Sequence, residues 1–219
     1  MKGPRWWAYL ACLAPLGAGF ARLGGAPPAP ELVADLLVGV LIACLVAVLL
    51  RQQRRLVELA ATDGLTSCWT ARRFNEELPL AVARAARAGR PLTLLYADLD
   101  NFKPVNDRWG HEKGNEVLTH FARCLKACVR AKVDQAFRVG GDEFAVVLSD
   151  ARLDAALQVG ERLKRAIAAD PHSLRALGVT VSVGAVELRE GEAAESLLKR
   201  ADSAMYDAKR GGKDRVTVA

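Results

Sequence analysis

The stretch Arg138-Val139-Gly140-Gly141-Asp142-Glu143-Phe144-Ala145-Val146-Val147 decides how the rest of the chain is read. Residues 136–139 and 144–148 are apolar or β-favouring runs, and both are expected to be strands. Gly140-Gly141 between them is a hairpin signal, because glycine reaches positive φ at no steric cost. The turn also carries Asp142 and Glu143. Two carboxylates at a hairpin tip repel each other, and a fold has little reason to place them there. A divalent cation held against a polyphosphate gives them one. A solvated acidic turn is the plain alternative.

A second stretch weighs against that alternative. Leu92-Thr93-Leu94-Leu95-Tyr96-Ala97 is an apolar run of strand length that ends in Asp98-Leu99-Asp100 and then Asn101-Phe102-Lys103. A rigid strand that delivers carboxylates at its end beside a lysine is how metal–triphosphate sites are commonly built. Asn106-Asp107 and Gly110-His111 follow, ahead of a helix with apolar positions at Val117, Phe121, Leu125 and Val129. The two acidic stretches can share one metal if their strands lie side by side.

These residues, in this order, resemble the GGDEF-domain diguanylate cyclases. The resemblance is carried by Asp98-Leu99-Asp100-Asn101-Phe102-Lys103, Asn106-Asp107-x-x-Gly110-His111 and Gly140-Gly141-Asp142-Glu143-Phe144. Asp63-x-Leu65-Thr66 precedes them; Val179-Thr180-Val181-Ser182-Val183-Gly184 and Ala201-Asp202-x-Ala204-Met205-Tyr206-x-Ala208-Lys209 follow. The match runs from about residue 61 to the C-terminus. It implies an α/β (α+β) fold, a mainly antiparallel central sheet flanked by helices, akin to nucleotidyl cyclases and polymerase palms. It also implies condensation of two GTP to cyclic di-GMP, with Mg²⁺ or Mn²⁺ as cofactor and a homodimer for turnover.

The resemblance assigns roles residue by residue. Asp98, Asp142 and Glu143 are the catalytic acids, and Asp98, Asp142 and the carbonyl of Leu99 are the metal ligands. Phe102, Lys103, Asn106, His111, Asn115, Gly140, Gly141, Lys209 and Lys213 are the substrate-binding set. Lys213 stands where the family usually has arginine, so a bidentate contact becomes a point charge.

Three departures from the family pattern carry expectations of their own. Asn115 replaces the usual guanine-reading aspartate. Its one acceptor and one donor suit adenine as well as guanine, so relaxed purine selectivity, with ATP as a second substrate, is weighed against retained guanine preference. The family's product-inhibition motif, Arg-x-x-Asp, is degenerate: Asp134 is present, but Ala131 stands in place of arginine. Ser67, Cys68, Thr70 and Ala71 also differ from the family's usual residues at the domain entrance.

The remaining chain sets the context. It has 31 basic and 25 acidic residues, a net charge of +6; the excess is too modest to argue for nucleic acid as a partner. Residues 6–21 and 32–50 are apolar, with a Gly/Pro-rich loop between them and Lys2, Arg5, Arg51, Arg54 and Arg55 flanking the outer ends. The expectation is a two-helix membrane hairpin over residues 1–50, multi-pass, with the catalytic domain in the cytoplasm. A cleaved signal peptide over residues 1–21 is the rival reading. Residues 51–62 are expected to be a linker helix and 63–219 the catalytic domain. The five cysteines make no Cys-x-x-Cys pair and read as small apolar residues in a reducing compartment.

Helices are expected at 72–88, 112–130, 153–168 and 193–209, and strands at 92–98, 135–139, 144–148 and 179–188. Two functions remain at this point: an active dinucleotide cyclase, and a weak or inactive module that binds nucleotide or a partner. The presence of all three acids favours the enzyme.

Overall fold

A computed structural model describes residues 29–59, 61–169 and 174–219. The chain forms two compact units, Met1–Leu59 and Ala60–Ala219. In the first, one helix, α1 (Ala29–Leu59), runs for 31 residues.

The second unit is built as β1 (Trp69–Thr70), α2 (Ala71–Ala88), β2 (Leu92–Asp100), α3 (Phe102–Ala127), β3 (Gln135–Arg138), β4 (Glu143–Ser149), α4 (Leu153–Ala169), a 3-10 turn (Leu174–Leu177), β5 (Thr180–Glu187), α5 (Ala194–Arg210) and β6 (Arg215–Val218). The six strands form one sheet in the order β1-β3-β4-β2-β5-β6.

Strand β2 is buried on both faces, which explains its near-continuous apolar run. One face packs under α3 and α4 through Leu95, Leu99, Phe121, Phe144 and Val183. The other packs under α2 and α5 through Leu94, Phe137, Val147, Leu197 and Ala201. Phe121 meets Phe144 with ring centroids 4.7 Å apart, and Phe74 meets Phe137 edge-on at 5.3 Å. Such pairs add roughly 1 kcal/mol each beyond the area they bury.

Three expectations need correction. The sheet is mixed rather than mainly antiparallel. Its four central strands are antiparallel, but β1 pairs with β3 and β6 with β5 in parallel. A helix carries the chain back across the sheet between β5 and β6, and such a crossover is what a parallel neighbour requires. Helix α3 begins at Phe102 rather than at 112, and bends at Gly110 (φ 83°, ψ 166°).

The membrane expectation fails as well. Among the described residues, no helix is long and apolar enough to cross a membrane. The uninterrupted apolar run inside α1 is 36–50, between Asp35 and Arg51. It reaches roughly 22 Å at 1.5 Å per residue, short of a hydrocarbon core of about 30 Å. The multi-pass membrane location and the transmembrane helix expected over 32–50 are corrected on this finding. The first of those segments, 6–21, lies outside the described residues.

Candidate active site

Antiparallel pairing brings the end of β2 to the start of β4. Asp98 stands directly opposite Glu143 in the register. The Leu99 amide donates to the Asp142 carbonyl at 3.2 Å, extending the pairing into the hairpin tip. The acids of the two sequence stretches are therefore neighbours on adjacent strands.

The turn itself is not the one expected. Neither Gly140 nor Gly141 is among the residues with positive φ. Gly140 lies close under Glu143, so that a Cβ there would meet the Glu143 carboxylate. The Val139 and Gly140 amides both donate to the Glu143 carbonyl, at 2.9 and 3.3 Å.

The cluster is electrostatically tense. Asp98 is 6% exposed. Burial raises its pKa to about 6; Lys209 works against the rise, and Asp142 and Glu143 add to it. Burial also pushes Glu143 up, helped by Asp142 and Asp202. Tyr96, on the same strand, is pushed up to about 12 by burial and by Glu143, Asp202 and Asp98. Lys209, on the last turn of α5, places its ammonium 2.7 Å from Asp98 Oδ1. Asp202 and Tyr96 had no assigned role in the sequence reading; both belong to this cluster's field.

Asp100 is a further acid that the sequence reading did not resolve. It accepts from Thr180 Oγ1 at 2.7 Å, Ser182 Oγ at 2.8 Å and the Asp214 amide at 3.2 Å. Its carboxylate thus secures the loop that carries Lys213. Lys213 itself donates to Asn101 Oδ1 at 2.7 Å, away from the acids.

The other expected substrate residues lie along α3. Phe102 and Asn106 are half-buried, and Lys103, His111 and Asn115 are exposed. Asn106 lies on the bare backbone of Gly114, so that a Cβ at 114 would collide with its amide, and Phe102 packs beside it. Asn115 lines a cavity of about 530 Å³ together with Leu65, Thr119, His120, Arg123 and Leu177. None of Asp98, Asp142 and Glu143 lines that cavity. The structure thus gathers Asp98, Leu99, Gly140, Gly141, Asp142, Glu143 and Lys209 in one place, and Phe102 and Asn106 in another. His111 and Asn115 follow the bend in α3.

Among the described residues, no group of three or more His, Cys, Asp or Glu side chains is arranged to hold a metal ion unaided. The donor chemistry nevertheless fits Mg²⁺. Every donor on offer is oxygen, and Mg²⁺ commonly takes one or two carboxylates and completes its shell with phosphates. Lys209 already shows the positive charge the buried carboxylate favours.

At the far end of β3, Asp134 meets Arg130 across a tight turn. Arg130 Nε and Nη2 reach Asp134 Oδ2 and Oδ1 at 3.0 and 2.6 Å, and the Arg130 amide donates to Oδ2 at 2.8 Å. The Asp134 carboxylate is thus filled from within the chain.

Comparison with known proteins decides the family. The family described as "Diguanylate cyclase, GGDEF domain" matches residues 60–215. The chain belongs to the GGDEF-domain family. Its GGDEF domain is 41% identical over 165 residues to Response regulator PleD of Caulobacter vibrioides, covering 73% of this chain and 36% of that protein. It is 41% identical over 162 residues to Diguanylate cyclase DgcP of Pseudomonas aeruginosa, covering 73% of this chain and 24% of that protein. The chain therefore spans about a third or less of these two relatives. The GGDEF domain of DgcB from Caulobacter crescentus, solved in complex with c-di-GMP, superposes with a TM-score of 0.68 at 34% identity, over 73% of this chain and 95% of that one.

Proposed function

We propose that this chain is a diguanylate cyclase, a nucleotidyltransferase that joins two GTP into cyclic di-GMP and releases two pyrophosphates. The carrying observation is the pairing of Asp98 with Glu143, with Asp142 tied to the same strand through Leu99, inside a GGDEF fold.

Asp98, Asp142 and the Leu99 carbonyl would hold Mg²⁺ or Mn²⁺. The cation, when bound, supplies charge neutralisation at the α-phosphate. Lys209 and Lys103 meet the phosphates. Glu143, whose raised pKa makes it a better base than an ordinary carboxylate, takes the proton of the attacking ribose 3′-hydroxyl. Asn106 and Asn115 read the purine edge. Each site holds one nucleotide, so the two α-phosphates are joined only when two copies face each other; the active form is a homodimer.

Base selectivity is relaxed at Asn115. An aspartate there would add a charge-assisted hydrogen bond worth roughly 1.5–3 kcal/mol, or about 10- to 100-fold in discrimination. The test is turnover of the whole chain with equal GTP and ATP and Mg²⁺. Cyclic di-GMP together with the mixed guanine–adenine product supports both claims. Cyclic di-GMP alone removes the relaxed selectivity, and no dinucleotide removes the cyclase.

A further inference from the structure

The acid cluster shares a cation that belongs to the chain itself. Lys209 Nζ lies 2.7 Å from Asp98 Oδ1. The same ammonium acts on Glu143, where it opposes the rise that burial, Asp142 and Asp202 produce. Lys209 is thus the counter-charge that makes these acids tolerable side by side.

The main chain and the side chain of Lys209 differ in freedom. The face of α5 that packs on the sheet is made of small residues, and Ala201, Ala204 and Ala208 are fully buried. Gly184 on β5 lets the helix come close, because a Cβ there would run into the backbone of Ala201 and Met205. Strand β5 in turn pairs with β2, Ser182 opposite Asp98. The backbone of Lys209 is therefore fixed relative to Asp98. Its side chain is 32% exposed, and its flexible four-carbon stem ends in a compact ammonium with three rotatable donors. The base is rigid and the tip is free to turn.

Such a lysine cannot serve a metal carboxylate and a phosphate at once. Asp98 Oδ1 already accepts from the ammonium, and a divalent ion brought to the same carboxylate meets that positive charge at close range. A triphosphate arriving alone offers the lysine new oxygens, but taking them strips Asp98 of its cation beside Asp142 and Glu143, and a buried charge left without a partner is costly. Only the two ligands together give every charge a partner.

We infer that Lys209 is a counter-ion relay: its side chain leaves Asp98 when the divalent cation is taken up and moves to the triphosphate, so that one lysine couples the binding of metal and nucleotide. The inference rests on Asp98 being a metal ligand. Linkage makes the coupling reciprocal: the factor by which metal tightens nucleotide is the factor by which nucleotide tightens metal. A lysine that stays on phosphate, or one that stays on Asp98, adds nothing to that factor.

The test uses the full chain. Kd values are measured for Mn²⁺ by electron paramagnetic resonance and for a non-hydrolysable GTP analogue by calorimetry, each alone and in the presence of the other. Lys209→Gln keeps a donor for Asp98 and removes the charge; Lys209→Met removes both. Either substitution should tighten Mn²⁺ alone by about tenfold, the low end for a hydrogen bond between charged groups. The analogue alone should bind as it does to wild type, and in saturating Mn²⁺ about tenfold less tightly. The mutual enhancement of the two ligands thereby falls about tenfold, while Mn²⁺ affinity in the presence of the analogue stays at its wild-type value.

Wild type that binds Mn²⁺ no better than Asp98→Asn, with the analogue or without it, sinks the reading of the site itself. Where wild type does bind Mn²⁺ through Asp98, an affinity for Mn²⁺ alone that Lys209→Gln leaves unchanged or weakens shows that the lysine does not compete for the carboxylate, and overturns the relay. Analogue affinity lowered by the same factor with and without Mn²⁺ overturns it too, because the lysine then serves phosphate throughout. So does analogue affinity unchanged in both conditions, because the lysine then never leaves Asp98. Should Lys209→Gln fail to fold, the same results in Lys209→Met decide.

Discussion

Strand β3 runs between two acids, Asp134 just before it and Asp142 in the turn after it, and the two behave in opposite ways. At one end, Asp134 is 1% exposed at its side chain and is gripped by both arms of Arg130 and by a backbone amide. At the other, Asp142 stands beside Glu143 and Asp98 with one lysine against Asp98. The first is an acid that has finished its chemistry in folding. The second is a buried cluster of like charges: burial first, and the neighbouring acids after it, raise Asp98 and Glu143. A carboxylate already satisfied by its own chain has little left for a ligand, whereas a cluster held under repulsion gains by binding a cation.

The tension can be measured without any substrate. The folded pKa of Asp98 is raised, so its contribution to stability is complete below its unfolded value near 3.9 and is lost as pH rises through about 6. In metal-free protein, the stability of wild type relative to Asp98→Asn should fall by about 2 kcal/mol between pH 4 and pH 7. Chemical denaturation across that range checks it. A difference independent of pH would show that the cluster is relaxed.

Restoring the aspartate at position 115 probes selectivity. Asn115→Asp should raise the preference for GTP over ATP by roughly 10- to 100-fold, read as the ratio of kcat/KM values. An unchanged ratio would place purine discrimination elsewhere along α3.

The closed end of β3 gives a smaller effect. Arg130→Ala removes two charged hydrogen bonds from Asp134 but leaves the backbone amide, and should cost about 2 kcal/mol of stability in a denaturant titration. Wild-type turnover should also resist added cyclic di-GMP at submicromolar concentration. Inhibition at that level, abolished by Asp134→Ala, would show that Arg130 yields its place to ligand.

Some of this was legible in the sequence. Strand β2 announced itself by an apolar run ending in acids, and β4 by the same apolar logic; that the two lie side by side was only a condition there, and the β2–β4 register meets it. The short edge strands β1 and β6 were missed because two and four partly exposed residues leave no periodicity to read. The start of α3 was misplaced for a related reason. Asn101 precedes it in a left-handed conformation without a side-chain cap, and Gly110 looked like a boundary when it is a bend within the helix. The Arg138–Asp63 pair joins residues 75 positions apart, and composition carries no trace of such a partnership. The apolar run in α1 misled in the opposite sense: its residues were read correctly as apolar, but its unbroken length fell short of a membrane span.

The central claim is that acids from β2 and from the hairpin hold one divalent cation together with a nucleoside triphosphate. Its most direct test is a Mn²⁺ titration followed by electron paramagnetic resonance, with a non-hydrolysable GTP analogue, on wild type, Asp98→Asn and Asp142→Ala. Wild type should bind Mn²⁺ in the presence of the analogue, and each substitution should weaken that binding by at least about tenfold. Equal Mn²⁺ affinity in all three proteins would contradict the account.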